Sequence, residues 1–126
     1  MSDLQRPVAY LEDHDFDSSG NPTGKLAEIS HKVPVVVMIQ ASFCGHCNAA
    51  KPAFQQFANK HQGKVFCTTI HGAADKPSEQ ALSKRIDSIK PGFVGFPDYV
   101  LIVSGKVVPK EISGRDVSHL EEFAGI

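Results

Sequence analysis

The most apolar stretch of the chain, residues 33–41 (VPVVVMIQA), is a nearly unbroken β-branched run, the composition of a strand covered on both faces. Further on, Ala50, Ala53, Phe54, Phe57 and Ala58 recur at i, i+3, i+4, i+7 and i+8, which lays one apolar stripe along a helix. Pro52 lies within that stripe and has no N–H to give, so either it kinks the helix or the helix begins there. Residues 64–70 (KVFCTTI) predict a second strand, and residues 78–89 a second helix with Ser78 as N-cap and Leu82, Ile86 and Ile89 on one face. Strand, helix, strand, helix implies a parallel pair joined by a right-handed crossover. Residues 99–103 and 106–112 flank Ser104-Gly105 as a hairpin, and a last helix spans residues 116–124 with Val117, Leu120 and Phe123 or Ala124 turned inward. Residues 13–25, rich in Asp, Ser and Gly, predict a surface loop. The sum is an α/β fold, a central mixed sheet flanked by helices.

Length and charge narrow the function. The 126 residues suit one domain spanning 1–126. With 13 basic and 14 acidic side chains the net charge is −1, which gives no electrostatic reason to bind nucleic acid or an anionic membrane. Hydrophobic residues make up 41% of the chain, enough to enclose a core. No apolar run approaches the ~18 residues of a membrane span, and residues 1–7 lack the basic start and apolar stretch of a secretory leader. The expected setting is cytoplasmic, with a removed leader or a viral setting left open.

The cysteines are the candidate chemistry. A chain of this length folds without disulfide staples, and three cysteines, two of them separated by only two residues, favour redox or metal chemistry over scaffolding. Ser42-Phe43-Cys44-Gly45-His46-Cys47 sits where the buried strand hands over to the helix. Unpaired N–H groups and the positive end of a helix favour a thiolate, so Cys44 is expected to be the attacking sulfur, with the lower pKa. Cys47, three residues on and on the same side, can close a small disulfide ring with it. His46, as a cation or N–H donor, stabilises the Cys44 thiolate and hence the reduced form. Each unit of such a shift is worth about 30 mV towards an oxidising disulfide. A zinc site would need Cys67 and His61 or His71 as further ligands, and no second paired motif is present. A third reading makes the pair merely structural. Cys67, in a strand beside Phe66, reads as a small buried apolar side chain, with a regulatory thiol as the alternative. His14, His31, His61, His71 and His119 share no spacing and read as solvated, and Lys84-Arg85 reads as the wet face of a helix.

From about Tyr10 onward these residues resemble the thioredoxin superfamily, and within it the catalytic domains of protein disulfide isomerases. Four matches carry the resemblance: Cys44-Gly45-His46-Cys47 after a buried strand; Pro52, eight residues after Cys44; Gly95-Phe96-Pro97 before the hairpin; and the run from Pro109-Lys110-Glu111 to Ser113-Gly114-Arg115. The resemblance implies a thioredoxin fold and disulfide exchange with protein or peptide substrates, oxidase- or isomerase-like in direction. Cys44, Gly45, His46 and Cys47 would form the catalytic motif, and Arg115 would swing towards Cys47 to lower its pKa. A cis-Pro97, with Phe43 and Phe96, would hold an extended substrate segment. No cofactor or metal is implied; a reductase or oxidase would recycle the site. A cytoplasmic thioredoxin-like reductant and a non-catalytic binding or chaperone module are the alternatives. Three departures matter. Met38 stands where relatives often carry a buried carboxylate that takes the second cysteine's proton, and no partner lysine is evident around Cys67-Thr68-Thr69, leaving water, Arg115 or substrate to deprotonate Cys47. Phe43 replaces a common tryptophan. Asp98 follows Pro97 where many relatives have threonine, placing a negative charge near the groove.

Overall fold

The computed structural model describes residues 3–126; Met1 and Ser2, the start of the stretch read for a leader, lie outside them. Strand β2 (Val35–Gln40) is the spine, with all six residues buried. Successive strand side chains point to opposite faces, so β2 feeds two cores. Val36 and Met38 join Phe54, Phe57, Tyr99, Leu120 and Phe123 on one side. Val35, Val37 and Ile39 join Leu26, Ile70, Leu82, Ile86 and Ile89 on the other. A strand used on both faces cannot alternate polar with apolar, which explains its unbroken run of hydrophobic residues.

β2 pairs in parallel with β3 (Phe66–His71), the two being connected through α2 (Gly45–Lys60). On its other side β2 runs antiparallel to β4 (Asp98–Val103), which pairs with β5 (Lys106–Val108). With the two-residue β1 (Ala9–Tyr10) laid parallel to β3, the sheet is mixed and five-stranded in the order β1-β3-β2-β4-β5. Ser104 and Gly105 take φ of 52° and 80°, the double left-handed turn whose twist matches a two-residue hairpin. α5 (Val117–Ala124) begins at Asp116, whose carboxylate accepts the His119 N–H, and sends Leu120, Phe123 and Ala124 into the α2 side of the core. Among the described residues no helix is long and apolar enough to cross a membrane.

Six expectations are corrected. The 78–89 helix is two pieces, α3 (Pro77–Ser83) and α4 (Ile86–Ile89), separated at Lys84 and Arg85. Arg85 leaves helical geometry and is no mere wet-face residue: its guanidinium donates to the Asp13 carboxylate and to the carbonyls of Asp13, Phe16 and Asp17 at 2.7–2.9 Å. The N-cap of α3 is Lys76, with Pro77 in the first turn where its missing N–H does no harm, and the Ser78 hydroxyl donates to Glu12 instead. β5 stops at Val108 rather than 112 because Pro109 has no N–H for the ladder. The presumed loop at 13–25 contains a short 3-10 helix (Asp13–Asp15) and the start of α1 (Gly24–Ser30), whose Leu26 is buried. Nor is His61 simply solvated: its Nε2 lies 2.7 Å from Glu121, which also accepts from Lys60 at 2.7 Å and so ties α2 to α5.

Candidate functional site

Cys44 is the N-cap of α2, in extended geometry at φ −96°, and its Sγ accepts the Cys47 backbone N–H at 3.1 Å. A helix N–H without an intrahelical partner is thereby aimed at this sulfur. The turn is held from below by Cys44 N–H to Ala41 O at 3.2 Å and by the Asn48 amide to Ser42 O at 3.3 Å. Cys44 is half-buried, Gly45 and His46 are exposed, and Cys47 is fully buried. All three thiols are free. α2 runs from the cysteines through Pro52 without a break, so the helix does not begin at the proline.

Burial drives the Cys47 thiol up to about 11. The hydrogen bond with Cys44 adds to this, while the Ala41 backbone and the Lys51 ammonium oppose it. Lys51 is an unanticipated member of the site. It is buried one turn after Cys47, with Nζ donating to Asn48 Oδ1 at 3.1 Å. Cys67 is buried among apolar residues on β3, and burial alone pushes it up to about 12, so it matches the expectation of an inert packing residue.

Beside Cys44, Phe43 is 73% exposed and meets the Phe96 ring edge-on at 5.8 Å; Phe96 in turn meets Phe93 at 5.3 Å. Sequence reasoning missed Phe93, the 98% exposed Val94 on the same segment, and Gly72. A Cβ on Gly72 would lie 2.6 Å from the Phe96 ring, so only glycine leaves room for that ring at the end of β3. The Phe96–Pro97 peptide bond is cis. Pro97, Tyr99, Ile112 and Arg115 line a cleft of about 310 Å³, which brings the exposed Arg115 to the proline side of the site.

The charge of Asp98 does not stand free in the groove. Its carboxylate accepts Lys90 Nζ at 2.6 Å and the Tyr99 N–H at 2.8 Å. Burial alone would pull Lys90 down, but Asp98 and Glu111 together outweigh it and hold Lys90 above its ordinary range. Among the described residues no three His, Cys, Asp or Glu side chains converge as metal ligands, and Cys67, His61 and His71 do not gather around the cysteine pair.

The thioredoxin family profile matches residues 22–125, which include the cysteine turn, strands β2 to β5 and α5. The chain belongs to the thioredoxin family. It is 41% identical over 132 aligned positions to a thioredoxin-like protein of Invertebrate iridescent virus 6, covering 95% of this chain and 94% of that one. It is 25% identical over 108 positions to mitochondrial thioredoxin of Mus musculus, covering 86% of this chain and 60% of that longer one. In fold it is similar to the first thioredoxin domain of mouse protein disulfide-isomerase A4, with a TM-score of 0.66 at 18% identity over 98% of this chain and 76% of that one.

Proposed function

We propose that this thioredoxin-family protein is a thiol-disulfide oxidoreductase that exchanges disulfides with protein substrates through Cys44-Gly45-His46-Cys47. The observation that carries this reading is the asymmetry of the pair: Cys44 is half-exposed with a helix N–H on its sulfur, and Cys47 is buried behind it. In the reduced state the Cys44 thiolate attacks a substrate disulfide, forming one S–S bond and expelling a thiolate. Cys47 then attacks Cys44, and the second substrate sulfur leaves as the intramolecular disulfide closes. The oxidised protein runs the steps backwards on a substrate dithiol. The main-chain edge at Pro97 is suited to an extended segment, paired strand-fashion, with Phe43 and Phe96 against its side chains. Arg115, across the cleft from Pro97, supplies positive charge towards the Cys47 side. Recycling falls to a partner reductase or oxidase.

Direction distinguishes two versions. Exposed His46 between the cysteines supports an oxidase- or isomerase-like site, since its N–H or charge stabilises the thiolate. The likeness to thioredoxins supports a reductant. The decisive measurement is insulin reduction by dithiothreitol, together with the equilibrium of the Cys44–Cys47 couple against glutathione. Wild type should accelerate insulin precipitation and Cys44→Ser should return it to the uncatalysed rate; a wild type no faster than dithiothreitol alone ends the enzymatic reading. A couple more oxidising than thioredoxin's ~−270 mV supports the first version, and one at or below it supports the second.

A further inference from the structure

Resolution of a mixed disulfide requires the Cys47 thiol to lose its proton while buried in an apolar wall, and Met38 offers it no carboxylate. The polar group that the fold does place there comes from β4. Tyr99 is the direct cross-strand partner of Met38, so its side chain leaves the sheet on the α2 side. Its ring packs on Phe54 at 6.2 Å, and Phe54 lies seven residues after Cys47 on the same stripe of α2. Tyr99 is 1% exposed, yet its hydroxyl has no hydrogen-bond partner in the reduced protein. Leaving a buried hydroxyl unpaired is unfavourable, and phenylalanine would fill the same space without that loss.

We propose that the Tyr99 hydroxyl donates a hydrogen bond to the Cys47 sulfur as that sulfur gains negative charge in the resolving step, making Tyr99 a positioning residue for disulfide closure. The inference rests on the dithiol reading given above. In that step the Cys47–Cys44 bond forms, the Cys44–substrate bond breaks, and the Cys47 proton ends on the departing substrate sulfur. Tyr99 keeps its own proton throughout. The hydroxyl lies within electrostatic reach of both Cys47 and Arg115, and burial pushes it up to about 12, so it remains a donor wherever the protein works. The other titratable groups facing this space are Cys44 at the helix cap, Lys51 from α2, Asp98 from β4 and Arg115 from the segment before α5. Asp98 accepts from Lys90 and Lys51 donates to Asn48, whereas the Tyr99 hydroxyl is buried here with no hydrogen bond at all.

Tyr99→Phe tests this by deleting one oxygen. A hydrogen bond to the anion is worth about one pKa unit, and because nucleophilicity rises with basicity the attack should slow by about three- to fourfold rather than tenfold. The rate of Cys44–Cys47 closure is read by quenched mass spectrometry from the Cys44–glutathione mixed disulfide, across pH. Iodoacetamide labelling of Cys47 in a Cys44→Ser background gives a second reading that needs no disulfide exchange. Tyr99→Phe should slow both by a similar factor, should leave formation of the glutathione adduct at Cys44 unchanged, and should melt at or above the wild-type temperature. Equal Cys47 labelling with and without the hydroxyl overturns the proposal. So does a variant that melts lower and closes its disulfide at the wild-type rate, since the oxygen would then serve the fold alone. A wild type that forms no Cys44 adduct defeats the dithiol reading instead, and the labelling experiment still decides Tyr99.

Discussion

Cys44 and Cys47 are three residues apart on one helix, and the protein treats them as opposites. Around Cys44 the structure exposes what most proteins bury: Phe43 stands in solvent beside a half-covered thiol held on a backbone N–H. Around Cys47 it buries what most proteins expose: Lys51 and an unpaired Tyr99 hydroxyl lie in the same interior as Phe54 and Met38. The exposed side is suited to meeting a partner and the buried side to suppressing reaction until an internal disulfide can form. The difference is one of solvation more than of sequence, because a single turn of helix carries one sulfur from the cap into the core.

The largest expected effect is in thiol reactivity. With the Cys47 thiol pushed up to about 11, only roughly one molecule in ten thousand carries that thiolate at pH 7. In the reduced protein, iodoacetamide near neutrality should therefore label Cys44 orders of magnitude faster than Cys47, with Cys67 unlabelled while the fold persists. Peptide mass mapping checks this. Cys47 labelling should climb steeply with pH towards 11. Similar labelling of both cysteines at neutral pH would erase the contrast.

Next in size is the alkaline stability of the reduced protein. Both buried thiols have folded values raised above the ordinary 9.0, Cys47 to about 11 and Cys67 to about 12. Below their ordinary value neither state is ionised and stability does not change. As pH rises past it, the unfolded chain gives up these protons first, so stability falls until the folded values are reached, by a few kcal/mol from each thiol. Urea midpoints should fall over this window. Cys67→Ala should flatten the fall by one thiol's share, and closing the Cys44–Cys47 disulfide by the other's. A reduced protein with a flat profile would mean that Cys47 is not desolvated.

The two sides of the site were unequally legible in the sequence. The strand, the cysteine turn and the α2 stripe could be read because each is a local pattern: a β-branched run, a C-x-x-C at a strand-to-helix junction, and a 3.6-residue periodicity. Members that depend on distant contacts left little local signal. Tyr99 reads as one more aromatic in a strand until register sets it opposite Met38. Lys51 reads as a solvated helix residue until the α2 stripe is seen to carry it inward, and Gly72 signals nothing until Phe96 stands over it. The same holds for the fold. β1 is too short to show a period, and the break between α3 and α4 is set by an arginine reaching a loop some seventy residues earlier in the chain. Asp98 shows the converse error: a charge that looked disruptive by its position is neutralised by Lys90, eight residues before it.

The smallest effect sharpens the comparison from the exposed side. Phe43→Ala removes a 73% exposed ring whose ordered contact is the edge-on meeting with Phe96. Because little of that ring is buried on folding, the melting temperature should hardly move, a change within about 0.5 kcal/mol. If the ring instead serves a bound peptide, one lost aromatic contact is worth about 0.5–1.5 kcal/mol, a drop of roughly two- to tenfold in kcat/KM for a peptide disulfide. Oxidised glutathione carries no apolar side chain for the two rings to hold, so it should react with Cys44 at close to the wild-type rate. Equal losses for the peptide and for glutathione would mean that Phe43 acts on the thiol itself, and the exposed aromatics would no longer define a surface separate from the chemistry.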